Sequence, residues 1–191
     1  MAILGWFQGF LRRKGIGVPK KGVLFPLVLI LGLSPLLALA SFKPVEIKAA
    51  YLYNLANFVH WPESTMQDGD FVIEVLGNPE LARNLALLTE GEKLEGRSIV
   101  VRYIDSVEEI HDCQILFVDS SREQEVSARL LEKLAQKHTL IVGNSLEFLQ
   151  KGAMVGLVLT GKRIIIAINT RLAERVGISF SSKLLKVARI F

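Results

Sequence analysis

Four patterns in the sequence carry residue types suited to chemistry. Gly156-Leu-Val-Leu-Thr-Gly161-Lys162-Arg163 matches the phosphate-binding GxxxxGK up to its last position. A phosphate loop sits between a strand and a helix, cradles phosphates with backbone N–H groups, and needs Ser or Thr after the lysine to hold magnesium. Here Arg163 stands in that place and an Ile-rich extended run follows, so the pattern reads as a β-hairpin. Gly143-Asn144-Ser145-Leu146-Glu147 resembles the GxSxG nucleophile elbow, but Glu147 replaces the glycine that lets the chains pass closely. Ser145 is better explained as the cap of a following helix.

The possible bases are His60, His111 and His138, and Cys113 is the one thiol. None has metal-ligand spacing such as HExxH, so neither a catalytic constellation nor a cofactor is expected. Cys113 lies in the apolar run Cys-Gln-Ile-Leu-Phe-Val-Asp, where a free cysteine behaves as a small buried hydrophobe. The fourth pattern is positional. Gly77 and Asn78, Asp119 and Ser120, and Gly143 and Asn144 each end an apolar run and precede a helical one. In open α/β sheets ligands bind beyond the carboxyl ends of the strands. Asp119, Ser120, Gly143 and Asn144 are therefore the candidate contacts for a small polar ligand, against the alternative that they are turn and capping residues.

The elements that must position these residues follow from periodicity. Residues 71–77, 97–104, 113–119 and 139–143 read as strands, and 79–88, 122–137 and 145–152 as helices. The helix over 122–137 carries Val126, Leu130, Leu131 and Leu134 on one face, with Ser120 or Ser121 as its cap. Residues 153–160 and 163–169 form the hairpin. Two short helices close the chain, the last with Lys183, Lys186 and Arg189 spaced by three. Alternation of this kind predicts a single α/β domain with a mixed, mostly parallel sheet of about six strands, flanked by helices and ending in a C-terminal β-hairpin.

The ends set the context. Residues 22–40 are uncharged and mostly aliphatic, follow a basic stretch and finish in Ala38-Leu39-Ala40, the pattern of a secretory signal peptide. The alternative is a retained anchor, since a helix of about 20 apolar residues spans a bilayer. Residues 1–40 are thus expected to be a signal peptide cleaved after Ala40, and 41–191 the folded domain. Five of the 23 basic residues and none of the 19 acidic ones precede residue 41, which leaves the rest close to neutral. The alkaline pI is no argument for nucleic acid.

Residues 44–60 form a helix whose apolar arc is wide. Val45, Ala49, Leu52, Ala56 and Val59 make one seam, broadened by Tyr51, Leu55 and Phe58. Such an arc calls for contact on two sides: the sheet, and either a neighbouring element or a second chain. Tyr53, Asn57 and His60 form a narrow polar strip and, with Lys183, Lys186 and Arg189, are the candidate partner contacts.

Lys-Ala-Ala-Tyr-Leu-Tyr-Asn-Leu-Ala-Asn-Phe-Val-His-Trp-Pro (48–62), Phe-Val-Ile-Glu-Val-Leu-Gly-Asn-Pro-Glu-Leu (71–81), the Cys113 run and the blocks 151–169 and 177–191 occur together and in order. In this the chain resembles the YfiR-like family of exported bacterial proteins. Ala153 and Ala167 depart from the family's usual Gly and charged residue, and Cys113 lacks the partners for an internal disulfide. The resemblance implies a periplasmic regulator rather than an enzyme. It would bind the periplasmic domain of an inner-membrane sensor (a diguanylate cyclase, or a histidine kinase), acting as a homodimer and lowering cyclic-di-GMP and biofilm formation.

Overall fold

The structure, a computed structural model, describes residues 43–63 and 69–191. The expected signal peptide lies outside the described residues. Seventeen elements can be placed among those described, and they follow the expected alternation of strand and helix.

The chain enters as helix α1 (Pro44–Phe58), with Pro44 at its first turn, and passes into a two-residue strand, β1 (Val59–His60). Next come β2 (Phe71–Leu76), α2 (Pro79–Thr89), the short β3 (Lys93–Leu94) and β4 (Arg97–Ile104). A 3-10 turn over Val107–Glu109 leads to β5 (Ile115–Val118), and α3 (Ala128–Gln136) to β6 (Leu140–Gly143). The rest is α4 (Leu146–Lys151), β7 (Val155–Thr160), β8 (Arg163–Ile168), α5 (Thr170–Arg175), β9 (Ser179–Phe180), α6 (Ser182–Leu185) and β10 (Arg189–Ile190).

Eight strands form one sheet in the order β10-β8-β7-β6-β5-β2-β4-β3. The five strands from β7 to β4 run parallel, whereas β8 pairs antiparallel with β7, β3 antiparallel with β4, and β10 parallel with β8. All residues of β2, β5 and β6 are buried, which is why these segments read as continuous apolar runs rather than alternating ones. The sheet exceeds the expected six strands because β3 and β10 are two residues each, too short to leave a periodic signal. The P-loop-like stretch is the hairpin β7–β8, with Gly161 at φ +60° in its turn.

Helix starts are set by short polar caps. Asn78 accepts from Leu81 N, Ser145 from Phe148 N, and Asn169 from Leu172 N. Three helices are shorter than the periodicity predicts. The first ends at Phe58, where the chain turns extended to pair with β9, so His60 does not continue the helical strip of Tyr53 and Asn57. The expected helix over 122–137 begins only at Ala128, capped by Ser127 and not by Ser120 or Ser121. The preceding residues turn instead, because Arg122 N and Glu123 N donate to Asp119 O. The expected C-terminal helix stops at Leu185. Arg189 lies in β10, paired parallel with Ala167 of β8, so Lys183, Lys186 and Arg189 do not form one helical stripe.

The α1 seam is buried at Ala49, Leu52, Leu55, Ala56 and Val59. Its second side meets α2, so a neighbouring element takes up the wide apolar arc. Beyond α1, β1 pairs with β9 and Ser181 N donates to Phe58 O at 2.8 Å, which fastens the first helix to the C-terminal segment.

Candidate functional site at the carboxyl ends of the strands

The chain leaves β2 to form β4 on one side, then returns to form β5 on the other. The reversal puts the topological switch point between β2 and β5, where ligands of open α/β sheets bind. Asn78 and Asp119 meet there: Asn78 Nδ2 donates to Asp119 Oδ1 at 2.9 Å. The other oxygen, Asp119 Oδ2, accepts from Ser121 N at 3.1 Å, Ser121 Oγ at 3.0 Å and Ser120 Oγ at 3.4 Å.

Two residues absent from the sequence-based set complete the cluster. Lys48, on α1, donates its Nζ to Asn144 Oδ1 at 2.5 Å. Glu123 is buried, and its Oε1 accepts from Asn144 N at 2.6 Å and Ser145 N at 3.1 Å. Its Oε2 accepts from Ser145 Oγ at 2.5 Å. The carboxylate therefore occupies the ground an anionic ligand would take beside the start of α4. Gly143 leaves it room: a Cβ there would fall 2.8 Å from Glu123 Oε1 and 2.3 Å from Phe148 Cδ1. Of the sequence-based ligand candidates, Asp119, Ser120 and Asn144 are brought together in one network, and Gly143 supplies clearance for it.

Electrostatics follow from this packing. Burial lowers the Lys48 pKa, opposed by the charges of Asp119 and Glu123. Burial alone would raise the Asp119 carboxyl, but the hydrogen bonds from Asn78 and Ser121 and the charge of Lys48 outweigh it and hold it below its usual value. With the native pKa depressed, the unfolded chain takes up the proton first. The stabilisation is then complete above the unfolded carboxylate value of about 3.9 and is lost as pH falls through the native one. Asp119→Asn is accordingly expected to flatten the acid-side fall in urea midpoint between pH 5 and pH 2. Parallel curves for variant and wild type would mean that Asp119 does not carry that slope.

A second polar cluster lies mid-sheet. Glu74 is fully buried in β2, and its Oε2 accepts from His111 N at 3.1 Å. Its Oε1 has no hydrogen-bond partner and sits 3.7 Å from both Arg102 Nη1 and His111 Nδ1. Burial, and then the neighbouring Glu74 carboxylate, push the Cys113 thiol up well past the usual range. Since the thiolate is the reactive form, Cys113 should react with a maleimide at least ~100-fold more slowly in the native protein than in urea. Equal rates would place the thiol at the surface.

The remaining candidates lie elsewhere. Tyr53 OH donates to Glu92 Oε2 at 3.3 Å, and Asn57 Nδ2 turns back onto Tyr53 O at 3.0 Å. His60 is exposed in β1, and Lys183, Lys186 and Arg189 are exposed along the C-terminal segment. His138 lies against Val176 O. Among the described residues no three His, Cys, Asp or Glu side chains are placed to hold a metal ion, and no helix is long and apolar enough to cross a membrane.

This architecture defines a doubly wound α/β domain, extended by two antiparallel C-terminal strands, whose strand-end polar groups satisfy one another. The chain belongs to the YfiR/HmsC-like family, whose model matches residues 45–189. A crystal structure of a conserved domain protein from Vibrio cholerae O1 biovar El Tor is similar at TM-score 0.51 and 14% identity. That similarity covers 77% of this chain, which spans 60% of the other. It is a likeness of fold. No curated protein sequence matches the chain.

Proposed function

We propose that the chain is a periplasmic regulatory protein which binds the periplasmic domain of an inner-membrane signalling enzyme, a diguanylate cyclase, and holds it in its inactive state. The observation that carries this reading is the family match across residues 45–189. Residues 1–40 serve as the cleaved export signal. Binding lowers cyclic-di-GMP output by preferring the off-state of the sensor, which needs only a difference in affinity between two states. The regulator acts as a homodimer. Tyr53, Asn57 and His60 contact the sensor together with Lys183, Lys186 and Arg189; the β1–β9 pairing links the segment that ends at His60 with the one that precedes Lys183.

The test is cellular cyclic-di-GMP in the wild type, in a deletion of the gene, and in the deletion complemented with the full chain or with one lacking residues 1–40. A severalfold rise on deletion, reversed by the full chain alone, is the expected result. An unchanged level on deletion would overturn the cyclase as the target.

A further inference from the structure

Among the described residues, the outer edge of the sheet at β4 is unpaired along most of its length. On one side β4 pairs with β2 over Ile99–Ile104; on the other, β3 covers only Arg97 and Ser98. Before β3, Glu92 N donates to Thr89 O, so the chain there turns back toward α2 and cannot lengthen the strand. Gly77 N donates to Ile104 O, so the even-numbered residues of β4 direct their backbone groups toward β2. In a parallel pairing the intervening residues, Ile99, Val101 and Tyr103, then direct their N–H and C=O groups outward.

The side chains of those same three residues share the face that carries α2. Ile99 and Val101 line an open groove of about 490 Å³ together with Arg83, Ala86 and Leu87. Leu87 is 65% exposed and Tyr103 is 45% exposed. Native proteins blunt such edges with proline, bulges or inward charges. The run Arg-Ser-Ile-Val-Val-Arg-Tyr-Ile has no proline or glycine, and beyond β3 its one charge is Arg102.

We propose that this edge is a docking site for an extended segment of a partner protein, which adds as a strand beside Ile99, Val101 and Tyr103. The recurring outward N–H and C=O groups match the spacing of another strand, about 6.8 Å for every second residue. A second copy of this chain fits poorly. Centring two antiparallel copies on Val101 sets Ile104 of one against Ser98 of the other, a position β3 already fills. Centring them on Arg102 sets two guanidinium groups opposite each other, where like charges repel. Centring them on Tyr103 requires Asp105, which Arg122 holds at 3.1 Å beyond the end of β4. The segment that fits carries alternating apolar residues toward the α2 groove. On the other face it carries an acid opposite Arg102, whose side chain lies 3.7 Å from Glu74 Oε1 and stays 48% exposed, so that its outer side can meet a second carboxylate.

This inference does not depend on the cyclase reading. Its test titrates the purified protein with a capped nine-residue peptide, Thr-Val-Thr-Val-Glu-Val-Thr-Val-Thr, by fluorescence anisotropy. Saturable one-to-one binding is expected, about tenfold weaker when Lys replaces Glu and absent when alternate peptide nitrogens are methylated. Val101→Pro removes an outward N–H without touching the β2 ladder, and should abolish binding while keeping the native circular dichroism spectrum. Should that variant fail to fold, the methylated peptide decides. Absence of binding to the wild type, equal binding of the methylated peptide, or undiminished binding to a folded Val101→Pro protein would overturn the proposal. So would a wild-type dimer, seen by light scattering, that Val101→Pro converts to monomer, since a second copy would then cover the edge.

Discussion

Glu123→Ala is expected to lower the stability of the domain by about 3 kcal/mol, read from the urea midpoint or from a fall in Tm of roughly 6–12 °C. The carboxylate is buried and takes three hydrogen bonds, from Asn144 N, Ser145 N and Ser145 Oγ. Truncation leaves two backbone donors without an acceptor, and an unpaired buried donor costs about 1–3 kcal/mol. Lys48 would also lose one of the two carboxylates that support its charge at a half-buried position. Glu123→Gln keeps one carbonyl acceptor and a hydroxyl can turn to accept from the amide, so its loss should be near 1 kcal/mol. A Glu123→Ala protein as stable as the wild type would show that the strand-end network does not hold the fold. A peptide or metabolite binding better to that variant would show the carboxylate to be an internal occupant of a ligand site.

Gly143→Ala should be of similar severity for a different reason. The backbone there needs no left-handed conformation; the added methyl has nowhere to go. It would meet the Phe148 ring at 2.3 Å and the Glu123 carboxylate at 2.8 Å, and both are buried. Overpacking of this kind costs about 1–3 kcal/mol, and displacing Glu123 adds to it. Gly77→Ala gives the contrast. Its Cβ would lie 2.5 Å from Arg122 Cγ, and moving that partly exposed side chain gives up its surface pairs with Asp105 and Glu125, so a small loss adds to the strain of φ +79°, about 1 kcal/mol. The ratio of the two losses in urea denaturation is the check. If Gly77→Ala proves the worse, clearance at the strand ends is not what Gly143 provides.

The parallel strands were legible because β5 and β6 are unbroken apolar runs and β2, β4 and β7 mostly apolar ones, and Ser145 was recognisable as the cap of the helix that follows β6. The strand-end site was legible only by position. Asp119 and Asn144 stand where a ligand would bind, but nothing local says that Lys48, 96 residues before Asn144, reaches it. Glu123 looked like part of the charged face of a long helix. Its burial follows from the Asp119 turn, which reverses the chain before α3 can start. The C-terminal segment was misread for a similar reason. Its threefold spacing suits a helix, but the free edge of β8 offers backbone partners, and Arg189 and Ile190 take them. Burial of Glu74 inside β2 has no sequence signal beyond one acid in an apolar strand.

The ribbon between β1 and β9 also imposes a timetable. Val59 and His60 find their partners in Phe180 and Ser179, at the far end of the chain. A polypeptide emerging from its N-terminus, whether from a ribosome or through a translocation pore, completes α1 long before that clasp can close. The first helix must then wait with part of its apolar seam uncovered until nearly the last residues arrive. Pairings so distant in sequence are the slow ones to form, and surface exposed meanwhile invites association with other chains. Interrupted synthesis or clipping of the last dozen residues would leave Phe58 and Val59 without their backbone partners, so the end of the first helix depends on residues from the far end of the chain.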